Sequence, residues 1–361
     1  MKGIRASLRA GKKGERASPH DGRSADCLAK ALETRGIDYE YRRNDQIAGA
    51  STPREFLVFK VNDHAYYYSS RGILLVADAK GSVSPTTDKN TDKVLSHKNL
   101  TNSILRRQEF SVPEGLAIHR ECIDEACAYF SALLTTAPHG ICVKPTSGRR
   151  GSKVYVGLRD LPSFRSAFRA VAKKFDHILI EEVVAGTVHR FFCVAGRVVA
   201  IRYGIPASVE GDGEHSVAEL LEIKNLERTS NPFVGAIKLT GPALRLLETQ
   251  GLGLASIPRA GELVSLSRMS NLDQGADIVD ATDSVHASYT MLVEQAVQRF
   301  PGLILCGADV AIENTSVPAT DTNHHFIELN NGPGFEAHHY PSIGRARDVA
   351  GEIVDYLMSR G

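Results

Sequence analysis

Three oxygen-bearing side chains near the end of the sequence have the types and the spacing that a divalent cation requires. Glu328 and Asn330 lie two residues apart in one apolar segment, and Asp309 lies in the apolar segment before it. Residues two apart on a strand face the same side, so Glu328 and Asn330 would converge, and a neighbouring strand would bring Asp309 to them. Few oxygen ligands, completed by water and phosphate, are how Mg²⁺ is held at nucleotide sites. The alternative is a set of polar strand-end groups, but a buried strand has no structural need for an acid and an amide on one face.

The turn that follows these ligands is rich in glycine. Gly332 and Gly334 flank Pro333, directly after the segment that carries Glu328 and Asn330. Glycine permits a close approach of the backbone to a ligand. The turn would therefore bring backbone groups next to the reacting atoms.

A lysine inside an apolar segment and a glycine-rich turn after it suggest a phosphate site. A buried ammonium such as that of Lys144 is costly unless an anion meets it, although an edge strand with Lys144 in solvent explains the segment equally well. Gly148, Arg149 and Gly151 belong to a doubly basic turn whose backbone could fold over a triphosphate. Alone this turn could be an ordinary surface hairpin. It matches neither a Walker loop nor a dinucleotide-binding fingerprint.

A pair of acids closes another apolar run. Glu181 and Glu182 are followed by Val183 and Val184. A strand-end carboxylate with adjacent backbone groups can hold the edge of an adenine, and the valines can cover its faces. Two solvated glutamates at the exit of a strand are an equally good explanation of the segment alone.

Strand and helix patterns alternate along the whole chain, which predicts an α/β fold built of α+β lobes. The predicted helices lie near residues 26–35, 92–107, 121–134, 163–175, 216–225, 240–250, 286–300 and 345–360. The predicted strands lie near residues 56–61, 64–69, 140–145, 152–157, 177–184, 187–205, 303–312 and 324–330. The polar segment 80–91 is a natural lobe boundary.

Composition excludes several functional classes. The 361 residues carry a formal net charge of +1, which gives no reason to expect nucleic acid or an acidic membrane as a partner. The six scattered cysteines form no metal-ligand spacing, and we expect them reduced in the cytoplasm. No apolar run is long enough to span a membrane. Residues 1–24 are basic and lack the apolar core of a secretory signal; a flexible basic arm explains them better than an organelle transit peptide.

The order and spacing of these segments resemble the ATP-grasp superfamily, and specifically the ATP-grasp portions of cyanophycin synthetases and bifunctional glutathione synthetases. The resemblance covers roughly residue 35 to the end of the chain and is densest from Thr87 onward. The blocks that carry it are residues 87–95, 110–115, 143–145, the Gly148/Gly151 turn, 181–186 with Arg190, 211–220, 268–275, Asp309, 328–334 and 338–344.

The resemblance implies an ATP-grasp fold in which ATP is held between two lobes, preceded by a small N-terminal lobe. The implied boundaries are residues 25–90 for the N-terminal lobe, 91–185 for a central lobe with the glycine loop, and 186–361 for a C-terminal lobe with the metal site. The implied cofactors are ATP and Mg²⁺, with Mn²⁺ as a substitute. The implied activity is an ADP-forming carboxylate–amine ligase for amino acids or short peptides, working through an acyl-phosphate.

The resemblance also implies roles for single residues. Lys93 and Lys144 would neutralise phosphates, and Glu181 with Val184 would frame the adenine. Asp309, Glu328 and Asn330 would hold magnesium. Arg268 and Asn271 would face the transferred phosphate, Arg190 and Arg202 would grip a substrate carboxylate, and His338 would lie near the second substrate.

Two residues depart from the family pattern. Val188 stands where such enzymes place an acid on the ribose, and Glu336 stands where cyanophycin synthetases tend to have arginine. The second departure argues for a different amine substrate. The rival readings are a small-molecule kinase on the same scaffold and a non-catalytic nucleotide-binding partner protein. Formation of a homodimer stays open.

Overall fold

The computed structural model describes residues 23–44, 54–69, 72–148, 153–270 and 272–360. The helices in these ranges are α1 (Arg23–Thr34), α2 (Lys89–Leu95), α3 (Lys98–Arg107), α4 (Ile123–Leu134), α5 (Leu161–Ala172), α6 (Val217–Arg228), α7 (Gly241–Thr249), α8 (Ala287–Val297), α9 (Glu336–His339) and α10 (Val349–Met358), with a 3₁₀ turn at Leu272–Gln274. The strands are β1 (Tyr39–Asn44), β2 (Arg54–Val61), β3 (His64–Ser69), β4 (Leu74–Ala77), β5 (Val83–Pro85), β6 (Gly115–His119), β7 (Ile141–Pro145), β8 (Tyr155–Leu158), β9 (His177–Glu182), β10 (Thr187–Val194), β11 (Arg197–Ile205), β12 (Ser208–Glu210), β13 (Leu263–Ser265), β14 (Asp277–Asp280), β15 (Leu305–Ile312) and β16 (His324–Asn331).

These elements form two compact units. The first unit comprises the described residues of Met1–Gly72, Ala200–Asp283 and Gly334–Gly361. The second unit comprises the described residues of Ile73–Val199 and Ser284–Pro333. Helices packed on antiparallel sheets give the mixed architecture that the sequence predicts. The lobe boundaries drawn from the resemblance stay a prediction.

The second unit contains an antiparallel sheet in the order β6-β9-β7-β8. Helices α4 and α5 cover it, and their aromatic side chains form its core, with the rings of Phe130 and Phe164 stacked 4.4 Å apart. Helix α5 begins at Leu161 because the side chain of the preceding residue, Asp160, accepts a hydrogen bond from the Ser163 N–H at 2.8 Å. This packing fixes β7 and β9, the strands that carry Lys144 and Glu181.

The same unit contains the antiparallel strands β10, β15 and β16, with β15 in the middle. On their buried face, Phe326 lies edge-on to Phe110 and its N–H donates to the Ser111 carbonyl at 2.8 Å. The α8 helix packs against β10 and β15, and Glu294 accepts a hydrogen bond from the Val198 N–H at 2.9 Å. One face of these strands is thereby buried, and the other face carries the predicted metal ligands.

The first unit is built around several smaller assemblies. Strands β1, β2 and β3 pair in antiparallel order, and α1 packs against α10. Strand β11 pairs with β14. The segment between β11 and β14 has its own apolar core under α6 and α7, and α6 begins with a reciprocal cap between Ser216 and Glu219.

The single helix predicted from Asp92 to Arg107 is wrong, because two helices, α2 and α3, occupy this segment. The helix is interrupted at Ser96 and His97. The N–H of the next residue, Lys98, donates to the Thr146 carbonyl at 2.9 Å instead of to a carbonyl of the preceding turn. The break is therefore caused by a tertiary hydrogen bond to the end of β7, which no local pattern reports. No helix in the described residues combines the length and the apolar character that a membrane span requires.

Candidate active site

Three charged, partly buried side chains form a row across one face of β10, β15 and β16. Arg190 is opposite Asp309 in the strand register, and Asp309 is opposite Glu328. The Arg190 guanidinium grips the Asp309 carboxylate with two hydrogen bonds, of which the Nη2–Oδ2 bond is 2.7 Å long. Burial acts to lower the pKa of Arg190, but the Asp309 carboxylate outweighs it and the pKa is raised. Two of the predicted metal ligands are thus cross-strand neighbours.

A β-bulge places Glu328 in this row. The register between β15 and β16 shifts at Asp309 and Val310. Phe326 and Leu329 are both buried although they are three residues apart, so Ile327 and Glu328 both turn to the open face. Beyond the bulge the ordinary alternation returns and brings Asn330 to the same face as Glu328, as predicted.

The third predicted ligand, Asn330, completes the set. Its register partner is Gly307, and its side-chain amide nitrogen lies 3.5 Å from Asp309 Oδ2. A Cβ atom at Gly307 would come within 2.9 Å of both Arg190 Nη1 and Pro333 Cβ. Glycine is therefore required at 307, because the arginine passes over it to reach Asp309.

The donor set of this row is two carboxylates and one amide. Within the described residues, no group of three or more His, Cys, Asp or Glu side chains has the geometry of a metal site. Two carboxylate ligands and a neutral oxygen suit Mg²⁺, which keeps water and phosphate in its shell, better than they suit zinc.

A lysine that the sequence analysis did not single out neutralises Glu328. The ammonium of Lys98, on the first turn of α3, lies 2.8 Å from Glu328 Oε1 and 3.3 Å from the Gly148 carbonyl oxygen. Its side chain is only 11% exposed. The signal that could have found it is the run of three lysines at 89, 93 and 98. Lys93 itself is exposed on α2, and its phosphate role stays a prediction.

A polar bridge holds α2 to β16. The Thr87 hydroxyl donates to Asn331 Oδ1 at 3.0 Å, and the Asn331 amide donates to Asp92 Oδ1 at 2.6 Å. The side chain of Asp88 caps the start of α2. This bridge fixes the position of α2, and α3 with Lys98 begins three residues after the last residue of α2.

Lys144 and Glu181 form a buried ion pair on the neighbouring sheet, and each residue is 4% exposed. Strand β7 lies between β9 and β8, so the alternative of an edge strand with Lys144 in solvent is wrong. Burial acts to lower the pKa of Lys144, but the Glu181 carboxylate outweighs it and raises that pKa, with a further contribution from Glu328. Glu181 Oε2 is buried and has no hydrogen-bond partner in the described part of the chain.

Glu182 and the residues after it form the exit of β9. Glu182 Oε1 accepts the Glu114 N–H, and the Glu182 N–H donates to the Glu114 carbonyl, both at 2.9 Å. A Cβ at Gly186 would come within 2.5 Å of the Ile312 carbonyl group, so the chain after Val184 turns closely against the end of β15. The pair of acids is therefore not a pair of solvated glutamates, because Glu181 is buried and Glu182 is committed to the backbone.

The first unit contains four more of the predicted residues, Arg202, Arg268, Gly334 and His338, whereas Gly332 belongs to the second unit. Arg202 is opposite Asp280 in the register of β11 and β14, and Arg268 is exposed. His338 is 2% exposed, and its carbonyl accepts the Arg347 N–H at 2.8 Å. A Cβ at Gly334 would come within 2.9 Å of the Glu336 carboxylate. The predicted roles of these residues stay predictions, and Arg149, Gly151 and Asn271 lie outside the described residues.

The fold and this arrangement define a class: the chain has the ATP-grasp fold. A bifunctional glutathione synthetase from Pasteurella multocida superposes on it with a TM-score of 0.67 at 25% identity, over 95% of this chain and 45% of that one. No protein-family model matches the sequence.

Two kinds of protein are similar to this chain in sequence. A cyanophycin synthetase from Nostoc sp. is 31% identical over 266 residues, which are 72% of this chain and 29% of that protein. The glutathione biosynthesis bifunctional protein GshAB of Clostridium perfringens is 32% identical over 279 residues, which are 74% of this chain and 35% of that protein. The chain thus spans about a third of the length of these relatives, and the resemblance stated from the sequence is confirmed.

Proposed function

We propose that this protein is an ADP-forming ligase that joins a carboxylate to an amine through an acyl-phosphate. The observation that carries the proposal is the row of Arg190, Asp309 and Glu328, with Asn330 beside it on the same open face. Its relatives are named for the synthesis of cyanophycin and of glutathione.

The residues of the site fit a nucleotide. Glu181 Oε2 is a buried acceptor without a hydrogen-bond partner among the described residues, and the amino group of an adenine would satisfy it. The Lys144 ammonium beside it carries a positive charge, because its pKa is raised above the usual value. With the base at Glu181 and the triphosphate directed at Glu328, Lys144 would lie at the base end of the triphosphate and Lys98 at the other end.

The residues also fit a divalent cation. Each carboxylate of the row now has a cationic partner, since Lys98 pairs with Glu328 and Arg190 with Asp309. The two carboxylates thus attract positive charge, which is what a cation site requires. Asp309, Glu328 and Asn330 would hold Mg²⁺, which would supply neutralisation of the phosphate oxygens. Because the Arg190 guanidinium is committed to Asp309, we assign it to positioning that ligand rather than to gripping a substrate.

The chemistry needs charge neutralisation more than it needs a nucleophile. A carboxylate does not condense with an amine in water, because oxide is a poor leaving group. Transfer of the γ-phosphoryl group to the carboxylate creates a good leaving group, and the amine then displaces phosphate. Lys98 and Lys144 would draw charge from the phosphates during the transfer, and Arg268 would stabilise the oxyanion formed on attack by the amine.

The substrates belong to the same proposal. An amino acid or a short peptide would serve on each side, and Glu336 would give an amine specificity different from that of cyanophycin synthetases. We assign the reaction to the cytoplasm, in keeping with six cysteines that form no disulfide. Neither nucleic acid nor a membrane is needed as a partner. A homodimer is compatible with the proposal.

The test is a screen of amino-acid and dipeptide pairs for ATP-dependent ADP release, with mass spectrometry of the products. Glu328→Gln serves as the inactive variant. Glu125→Gln, an exposed acid on α4, serves as the matched control and should keep full activity. The expected result is a new amide together with ADP, and a hydroxamate when hydroxylamine replaces the amine.

Two outcomes would contradict the proposal. A stable phosphorylated product that never becomes an amide would identify a small-molecule kinase. Binding of ATP with no turnover on any carboxylate would identify a nucleotide-binding partner protein.

A further inference from the structure

A second row of side chains crosses the same three strands beside the metal row. Val188 is opposite Ala311, and Ala311 is opposite His325. Val188 lies two residues from Arg190 on β10, and Ala311 lies two residues from Asp309 on β15, so both rows share the open face. On β16 the bulge lengthens this spacing to three residues and keeps His325 on the side of Glu328.

Only one member of this second row can form a hydrogen bond with its side chain. Val188 is 46% exposed, and Ala311 is buried, with 1% of its surface exposed. His325 is half-buried at the other end of the row. Neither Val188 nor Ala311 therefore competes with the imidazole for a hydrogen-bonding group of a ligand.

The second row lies between the metal row and the exit of β9. Gly186, two residues after Val184, turns closely against Ile312, which directly follows Ala311 in sequence. The imidazole of His325 is also within the electrostatic reach of Glu182: burial lowers its pKa, while the carboxylates of Glu182 and Glu313 act in the opposite direction. A nucleotide with its phosphates at Asp309 and its base at Glu181 would lay its sugar across this row.

We propose that His325 binds the ribose of the nucleotide, its imidazole forming a hydrogen bond with a hydroxyl group of the sugar. This inference rests on the proposed nucleotide site and names the group that recognises the sugar there. A neutral imidazole carries one donor and one acceptor nitrogen, and a hydroxyl can complement either. Val188, at the other end of the row, has no group that could form this hydrogen bond.

The experiment compares the dissociation constants of ATP, 2′-deoxy-ATP and 3′-deoxy-ATP in Mg²⁺ buffer by calorimetry. A neutral hydrogen bond predicts that the wild type binds ATP about 3- to 10-fold more tightly than one of the deoxy analogues. His325→Leu should bind ATP as weakly as the wild type binds that analogue, and should no longer distinguish the two. His64→Leu, an exposed strand-end histidine of the first unit, is the matched control and should behave as the wild type.

A second variant tests the position of the sugar by gain of function. Val188→Asp introduces a carboxylate at the opposite end of the row, and in the His325→Leu background it should restore the discrimination between ATP and a deoxy analogue. Restored discrimination would support the proposal even if His325→Leu alone were less stable.

Three results would overturn the proposal. One is a wild type that binds ATP and both deoxy analogues equally. Another is His325→Leu weakening all three nucleotides by the same factor, as a merely structural histidine would. The last is Val188→Asp restoring nothing. A wild type that binds no nucleotide at all would instead contradict the proposed function itself.

Discussion

Two ionic clusters of this molecule have the same ingredients but different surroundings. In the first unit, Asp277 on β14 pairs with Arg228 and with Lys224, whose ammonium lies 2.7 Å from its carboxylate. Each cation also donates to a carbonyl oxygen, Arg228 to Gly235 at 2.9 Å and Lys224 to Ser208 at 2.8 Å. The cluster uses its hydrogen bonds internally and joins α6 to β14.

The candidate active site of the second unit does not satisfy all of its hydrogen-bonding atoms internally. Asp309 and Glu328 each hold one cation, and their side chains stay 15% and 25% exposed on an open strand face. Nearby, the buried Glu181 Oε2 lacks a partner among the described residues. The comparison teaches that paired charges alone do not identify a functional site, whereas a buried acceptor without a partner, such as Glu181 Oε2, indicates a place for a ligand.

The largest effect on stability should come from the internally satisfied cluster. Asp277→Ala leaves two cations without their anion, and we expect the free energy of unfolding to fall by about 3–5 kcal/mol. Urea unfolding followed by circular dichroism measures it. An Asp277→Ala protein of wild-type stability that has lost ATP binding would reverse the distinction between the two clusters.

The opposite pattern is expected at Glu328. Glu328→Gln removes a proposed metal ligand, so ADP release should fall by about 100-fold or more. The free energy of unfolding should fall by no more than about 1 kcal/mol, because the amide oxygen of Gln can still accept a hydrogen bond from the Lys98 ammonium, whereas Ala at position 277 offers its cations no acceptor. Initial rates and urea unfolding of the same preparation measure the two effects, and full activity of Glu328→Gln would remove Glu328 from the site.

A smaller effect is expected at Lys98. Lys98→Met removes a charged group between the Gly148 turn and Glu328, and the KM for ATP should rise about 10-fold through loss of a charge-assisted contact with phosphate. Lys89→Met, an exposed lysine on α2, is the matched control and should leave KM unchanged. Equal KM values for the two variants would leave Lys98 with a purely structural role.

The smallest effect concerns the acid stability of another satisfied cluster in the first unit. Burial acts to raise the pKa of Asp280, but the bonds from Arg347 and Thr282 outweigh it and lower that pKa. A carboxylate with a lowered folded-state pKa contributes stability above its unfolded pKa and loses it as the pH falls through the folded value. The stability difference between wild type and Arg347→Met should therefore be constant from pH 7 to about 4 and shrink below that.

Thermal unfolding as a function of pH measures this difference. A gap that widens on acidification would contradict the assignment of Asp280 as the anion that Arg347 stabilises.

The predictable part of the site follows from local periodicity. The two-residue spacing of Glu328 and Asn330 predicts a shared face, and the structure has it. The apolar segment around Lys144 predicts a strand, although only the sheet order excludes the edge position. The fold class followed from the alternation of elements and from the resemblance.

The other part depends on contacts between distant segments. The break before Lys98 comes from a hydrogen bond to Thr146, and the bulge at β16 comes from the pairing with β15. The need for glycine at 307 arises only when Arg190 crosses it. None of these leaves a local pattern: the lysines at 89, 93 and 98 mark a basic segment, but only the hydrogen bond to Thr146 shows which of them reaches Glu328, and only strand pairing places His325 opposite Ala311.

The central claim is that Asp309 and Glu328 hold a divalent cation beside a nucleotide. Binding of Mn²⁺ in the presence of ATP, followed by electron paramagnetic resonance, tests it most directly. We predict Mn²⁺ binding by the wild type and by folded Asp277→Asn, and its loss in Asp309→Asn and Glu328→Gln. Undiminished Mn²⁺ binding by Asp309→Asn and Glu328→Gln would contradict the account.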